Sequence, residues 1–361
     1  MTGFLRTDGV RLVDEAGTPV RLLGVGLGGW LNMENFITGY PANESMMRAA
    51  VGAVLGPERA ELFFDRLLEV FFTEADARFL AGAGVNSVRI PVNYRHFEDD
   101  AAPFTLLDKG FQRLDRVDEL CAAQGFYSII DLHALPGSQN HHWHSDNPTH
   151  IPLLWRHPHF QDRAVHLWEA LADRYRDNPW VAGYNPVNEP ADESRQVLGP
   201  FYRRLLGAIR AVDPRHVLFL DGNTYATEFD VFAEPWDNVV YTCHDYAAAG
   251  LGKDAPSDPA FLEEKFRQRT EYSRRTGTPI SSNAASTGPL PRTPTPAATP
   301  GSTPSTSNKP TPAPTSTSST APAATPSPAT PTSARPCVGL QPRSAACTCR
   351  STTTPRCGPP G

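Results

Sequence analysis

Apolar runs rich in Val and Ile recur through the first 280 residues, and helical stretches separate them. The runs are RLLGVGL (21–27), GVNSVRIPV (84–92), GFYSIIDLH (125–133), VAGYNPVNE (181–189), HVLFLDG (216–222) and NVVYTCHDY (238–246), and GTPI (277–280) begins a seventh. Between them, segments such as FQRLDRVDELCAAQG, AVHLWEALADRYRDNP and FYRRLLGAIRAVDP place apolar residues at i, i+3 and i+4. Several of these segments end in Gly or in Asp/Asn-Pro, which stop helices. Runs of this length predict strands, and the 3.6-residue spacing predicts helices. Strictly alternating strands and helices imply parallel strands joined by helical crossovers. The runs are apolar almost throughout, as in strands covered on both faces. Upstream, LRT, Asp8-Gly9 and VRLVD read as a hairpin closed by a Gly turn.

Six strand–helix units and the start of a seventh predict a (β/α)8 TIM barrel, broken off within strand seven. A doubly wound open sheet is the competing architecture. Gly24-Val25-Gly26-Leu27-Gly28-Gly29 leads into Trp30 rather than into a helix start, so a dinucleotide-binding loop is not expected.

Composition divides the chain in two. Residues 281–361 hold 18 of the 36 prolines, no aromatic residue and no Asp or Glu. Such a segment cannot bury enough apolar surface to offset its ordering entropy, so it is expected to be a disordered Pro/Thr/Ser/Ala-rich tail. Residues 1–280 form the one expected globular domain. The tail carries a formal charge of +6 and the domain −12, an acidic balance that argues against a nucleic-acid partner. No apolar run is long enough for a membrane span. MTGFLRTDGVRLVDEAG lacks the regions of a signal peptide, which by sequence alone points to the cytoplasm. Cys121 and Cys243 read as ordinary buried thiols. Cys337, Cys347, Cys349 and Cys357 match no zinc spacing.

In a barrel enzyme the chemistry sits at the C-terminal ends of the strands. Here those ends are polar: Arg89 to Tyr94 on strand two, Asp131-Leu132-His133 on strand three, Asn185 to Pro190 on strand four, and His244-Asp245-Tyr246 on strand six. One such residue caps a helix or holds a loop, but barrel closure brings all four ends to one mouth. Asn188-Glu189-Pro190 is the sharpest signal. Glycoside hydrolysis needs two carboxylates flanking the scissile bond, and Glu189 suits a general acid/base. A Glu capping the next helix is the structural alternative.

With these motifs in order, the chain resembles glycoside hydrolase family 5. The resemblance rests on Arg89, DLHALPGSQN (131–140), NPVNEP (185–190) and CHDY (243–246). GVGLGGWLNMENFI (24–37), VNSVRIPVNYRHF (85–97) and the LPGSQN loop are most similar to its exo-1,3-glucanase-like branch. The resemblance implies retaining hydrolysis of β-linked glucans by a monomer without cofactor or metal, and action outside the cell. It implies that Glu189 is the acid/base and Asn188 its sugar-contacting neighbour. Arg89, His133, His244 and Tyr246 would surround the reacting sugar, and the N-terminal hairpin would plug the barrel floor. Trp30, Trp143 and Trp155 are candidates for stacking on sugar, with core or loop packing as the alternative for each. His141-His142-Trp143-His144 falls in the loop over the cleft. No carboxylate or Cys set accompanies it, so sugar contact is expected rather than metal binding.

The family's nucleophilic Glu belongs on strand seven, followed by an aromatic platform on strand eight. No Asp or Glu follows Glu271. The nucleophile is therefore expected to be absent, and strand eight with it. A natural Pro/Thr/Ser linker is one reading of the tail. A change of reading frame just after Ile280 is the other. The mid-strand break and the lack of aromatics beyond it favour the frame change. Three functional readings follow: a glycosidase crippled by the missing nucleophile, a barrel that binds glucan without cleaving it, and a non-functional product.

Overall fold

A computed structural model describes residues 3–232, 236–244 and 259–282, all within one compact unit. The expectations for the tail, its four cysteines and Tyr246 lie outside the described residues.

The chain opens with β1 (Arg6–Asp8) and β2 (Arg11–Val13), the expected antiparallel hairpin turning at Gly9. β3 (Gly24–Gly26) follows, then α1 (Asn35–Thr38), α2 (Glu44–Leu55), α3 (Pro57–Val70) and α4 (Glu74–Gly82). β4 (Ser87–Asn93) leads into a small hairpin of β5 (Glu98–Asp99) and β6 (Ala102–Leu106). The remaining elements are α5 (Asp108–Ala123), β7 (Tyr127–Ala134), α6 (Pro158–Tyr175), β8 (Val181–Asn185), α7 (Leu198–Val212), β9 (Val217–Asp221), the short turn α8 (Asn223–Ala226), β10 (Val239–Cys243), α9 (Pro259–Thr276) and β11 (Ile280–Ser282).

Seven strands form one sheet in the order β3-β4-β7-β8-β9-β10-β11, every pair parallel. Each strand lies beside its predecessor in the series, which is the curling order of a barrel and not the reversing order of a doubly wound sheet. Among the described residues, nothing pairs with the outer edges of β3 and β11. All seven apolar runs become strands; β3, β8, β9 and β10 stop short of the ends of their runs, whereas β4, β7 and β11 continue one or two residues past them.

The helices α2 and α3 and the β5–β6 hairpin are not anticipated by the pattern. Val54 and Leu62 are largely exposed and Phe63 partly so, which blurs the apolar stripe in α2 and α3. Local chemistry still marks the boundaries. Pro57 and Pro158 occupy the first turns of α3 and α6. Thr73 and Asp76 form a capping box at the start of α4.

Alternation along the strands, shifted by a bulge at Ala182 of β8, separates two cores. Ile90, Ile130, Leu132, Tyr184, Leu218, Leu220 and Tyr241 point outward and pack beneath the helices. Tyr127, Ile129, Ala182, Val217, Phe219 and Val240 point inward and meet Leu5 and Val20 of the N-terminal segment. The hairpin is thus a plug on the floor, tied by Thr7 N–H to Asn238 Oδ1 at 3.0 Å. Nearer the C-terminal ends of the strands, the inward positions change from apolar to polar: Asp131, His133, Asn185, Asp221 and Thr242.

Candidate active site

Arg89 points inward from β4 and joins three neighbours through one nitrogen. Its Nη2 lies 2.9 Å from Asp131 Oδ2 and donates to Asn185 Oδ1 and Asn188 Oδ1, each at 2.8 Å. His133, two residues beyond Asp131 and therefore on the same face of β7, places Nδ1 2.7 Å from Asp131 Oδ2. Its Nε2 lies 3.3 Å from Asn188 Nδ2. Asn188 is fully buried by this frame.

Glu189 follows β8 in a left-handed backbone conformation, with φ +45°. That region is unfavourable for a residue with a side chain, and more so before proline. Surrounding bonds hold it there. Its N–H donates to Asp221 Oδ2 at 2.8 Å, and its carbonyl accepts from Asn140 Nδ2 at 3.0 Å. The 9% of the residue left exposed faces the mouth with a carboxyl that two imidazoles hold. His244 Nδ1 lies 2.5 Å from Oε1, and His144 Nε2 lies 3.1 Å from Oε2. Burial alone would raise the acid, but the two histidines outweigh it and hold Glu189 well below the usual carboxylate range. Burial likewise opposes charge on His244 and His144. The Asp221 and Glu189 carboxylates overcome it at His244, and Glu189 overcomes it at His144, so both imidazoles titrate above their ordinary value.

Asp221 is the organiser that sequence reasoning missed. It is fully buried at the end of β9, and besides Glu189 N–H it accepts from Asn185 Nδ2 at 3.1 Å and from the Thr242 hydroxyl. His244 Nε2 approaches it at 3.4 Å. The available signal was its parity: it lies two residues beyond the inward-facing Phe219, so its carboxylate must enter the mouth.

The loop after β7 supplies the rest. Gly137, at φ +74°, makes a turn in which a Cβ would sit 2.4 Å from the Phe160 ring, so only glycine fits. Gln139 Nε2 donates to the carbonyls of His133 and Asn188 at 2.7 and 2.9 Å. His141 meets Glu193 and the Tyr225 hydroxyl at 3.1 and 3.3 Å, while His142 stacks on His144 with ring centres 5.7 Å apart. Among the described residues, no group of three or more His, Cys, Asp or Glu side chains is arranged to hold a metal ion. No described helix is long and apolar enough to cross a membrane.

Five of the expected site residues therefore converge: Arg89, His133, Asn188, Glu189 and His244. Trp30 does not join them. It is fully buried, with its indole N–H donating to Leu68 O at 2.7 Å, so it belongs to the core beneath α3. Its apolar neighbours Leu31 and Met33 are buried with it, and the local sequence does not separate a core Trp from a sugar platform. Trp155 packs under the loop and donates to Gln139 O at 2.8 Å. Trp143 lines an open cavity of about 350 Å³ with Asn35, Phe36, His142, His144 and His150, and of these His144 also meets the Glu189 carboxyl.

The family model described as Cellulase (glycosyl hydrolase family 5) matches residues 67–283. A protein of Phanerodontia chrysosporium named Beta-xylosidase is 50% identical over 273 residues, covering 75% of this chain and 57% of that protein. A Probable glucan 1,3-beta-glucosidase A of Aspergillus clavatus is 32% identical over 237 residues, covering 62% of this chain and 55% of that protein. The chain thus spans about half the length of the curated relatives it matches. Among solved structures, rutinosidase from Aspergillus niger aligns with a TM-score of 0.60 at 19% identity, over 71% of this chain and 77% of that one. An endogalactoceramidase aligns at 0.56 and 18% identity, over 77% and 67%. These two likenesses speak for the fold.

Proposed function

The chain belongs to the cellulase family, glycosyl hydrolase family 5, and on that premise we propose that Glu189 is the general acid/base of a retaining β-glycosidase site. The observation that carries this reading is the setting of Glu189. It is buried at a strand end, strained in its backbone, and held at both carboxyl oxygens by imidazoles that sequence separation alone would not bring there. Arg89, His133, Asn188 and His244 form the polar wall that a sugar's hydroxyls would meet. Trp143 and Phe36 line the adjoining cavity, where a leaving group would rest.

Retention requires a second carboxylate about 5–5.5 Å from the acid/base, to attack the anomeric carbon. No Asp or Glu follows Glu271, and the described part of β11 is Ile280-Ser281-Ser282. On this reading the chain lacks the carboxylate that would attack, and its expected behaviour is sugar binding with little or no turnover. β-Linked glucans are the substrate class that the sequence motifs suggest. The relative at 50% identity, a protein named Beta-xylosidase, adds β-xylosides as a second class.

The test pairs turnover with binding. The full chain is assayed on aryl β-glucosides, aryl β-xylosides and a β-1,3-glucan, and calorimetry measures binding of the matching oligosaccharides. The expected outcome is binding of one class with negligible hydrolysis, and loss of that binding in Arg89→Ala. Absence of binding to every class would remove the glycosidase reading for this chain. Strong hydrolysis would show that another carboxylate acts as nucleophile.

A further inference from the structure

Resting on Glu189 as the acid/base, we propose that His144 is a positioning residue that exchanges a proton with the Glu189 carboxyl and holds that carboxyl in place in both its protonated and ionised forms. The two histidines on Glu189 are not equivalent. His244 has a carboxylate at each ring nitrogen, Glu189 at 2.5 Å and Asp221 at 3.4 Å. Opposite charge faces both of its nitrogens, which favours the doubly protonated ring. His144 Nε2 instead has two kinds of partner: Glu189 Oε2 at 3.1 Å and the amide nitrogen of Asn140 at 2.9 Å. That amide's oxygen accepts from His142 N–H at 3.0 Å, so its NH2 group faces the imidazole.

Nε2 has a partner in either state, Glu189 as acceptor when it carries a proton and the Asn140 amide as donor when it does not, and the amide facing a protonated Nε2 favours release of that proton. With the proton on Nε2, the ring donates to an ionised Glu189. With the proton on Oε2, the acid and the Asn140 amide share the single lone pair of the bare Nε2. Atoms balance directly. His144, protonated on both nitrogens, gives its Nε2 proton to Oε2 and becomes a neutral ring bearing Nδ1–H. The reverse transfer restores the imidazolium and the carboxylate, so the net change is one proton moved between Nε2 and Oε2. This supplies a source of acid for a carboxyl that is otherwise held ionised.

The loop is anchored for such precision. Asp146, two residues on, has φ +52° and accepts from Asn43 Nδ2 at 2.6 Å, Ser45 N–H at 2.9 Å, Asn93 Nδ2 at 3.1 Å and Arg95 Nε at 2.8 Å. Asn32 Nδ2 holds the His144 carbonyl at 3.2 Å. The other titratable groups facing the pair are Glu34 and His142 on the His144 side, His133 with its ring centre 5.6 Å from that of His144, Tyr225 beyond His142, and Asp221 behind His244.

The test is a carbon-13 NMR titration of the His144 ring and the Glu189 carboxyl in the full chain. The signals are assigned by comparison with His144→Gln and Glu189→Gln. In the unmodified chain each group is expected to titrate in two steps with shared midpoints, the mark of coupled sites. Glu189→Gln should lower the His144 midpoint, and His144→Gln should raise that of Glu189, each by about one pH unit or more, as for opposite charges in contact. Single-step, independent curves in the unmodified chain overturn the proposal, even if a variant fails to fold. So does a His144→Gln variant that only loses thermal stability. The titration needs no turnover. Coupled curves with no sugar binding would reject the glycosidase reading and leave the coupling standing, whereas sugar binding with uncoupled curves would reject the proton exchange alone.

Discussion

The Glu189 backbone N–H donates to Asp221 Oδ2 at 2.8 Å across two adjacent strand ends, and this bond holds the left-handed turn that aims the Glu189 side chain. Asp221 also serves Asn185, Thr242 and His244, all in a buried setting. Removing a buried acceptor leaves its donors unsatisfied, and each costs about 1–3 kcal/mol. Asp221→Ala is therefore expected to destabilise the fold by about 3–5 kcal/mol, since several buried donors lose their acceptor at once and His244 loses one of its two carboxylate neighbours. Urea unfolding measures this. A loss below about 0.5 kcal/mol, the size of an ordinary surface substitution, would contradict the role given to Asp221.

Trp30 tests the boundary between core and site. Trp30→Phe removes the bond to Leu68 O and leaves a gap, so it should lower stability by about 1–3 kcal/mol. Affinity for the bound sugar class should change less than about twofold, the scatter of an independent site. A large loss of affinity with unchanged unfolding would return Trp30 to the sugar contacts.

Acid stability should turn on two buried carboxylates. Burial opposes ionisation of Glu44, but His96 and Arg48 prevail and hold it at about 2. Burial likewise opposes ionisation of Asp213, and His216 and Tyr184 hold it at about 2. Both folded values lie below the unfolded ones of about 4.3 and 3.9. Their contribution is thus complete above about pH 5 and is lost as pH falls from about 4 towards 2. Denaturant titrations across that window should show the loss, and Asp213→Asn should flatten it. An unchanged slope in the variant would exclude Asp213 as a source.

The break after Ile280 has a test in the gene. Translation of the other two frames downstream of codon 280 is expected to reveal a strand ending in Glu, then a strand bearing Trp and a final helix. If neither frame contains them, the Pro-rich tail is native and the frame change is rejected.

The strand series was legible because each run carries enough Val, Ile and Leu to demand burial on both faces, and because helical spacing separates the runs. That order already requires parallel neighbours and a curling sheet. The polar ends of the runs exposed Arg89, His133, Asn188, Glu189 and His244, since curling of the sheet brings four polar ends to one mouth, whereas a single one would read as a cap or loop contact. What the sequence could not decide was which side chains meet. The link from Asp221 to Glu189 depends on parallel strands in one register, and no local pattern encodes register across 32 positions. Trp30 and Trp143 are both plausible sugar platforms as residue types, but only packing buried the first beneath α3 and left the second beside the cavity. The placement of His144 on the Glu189 carboxyl required a loop anchored through Asp146 to three separate elements, α2, the end of β4 and the turn after it. Pairwise contacts of that kind arise from the closed surface of the fold, where the entropy of ordering a long loop is offset by many bonds at once.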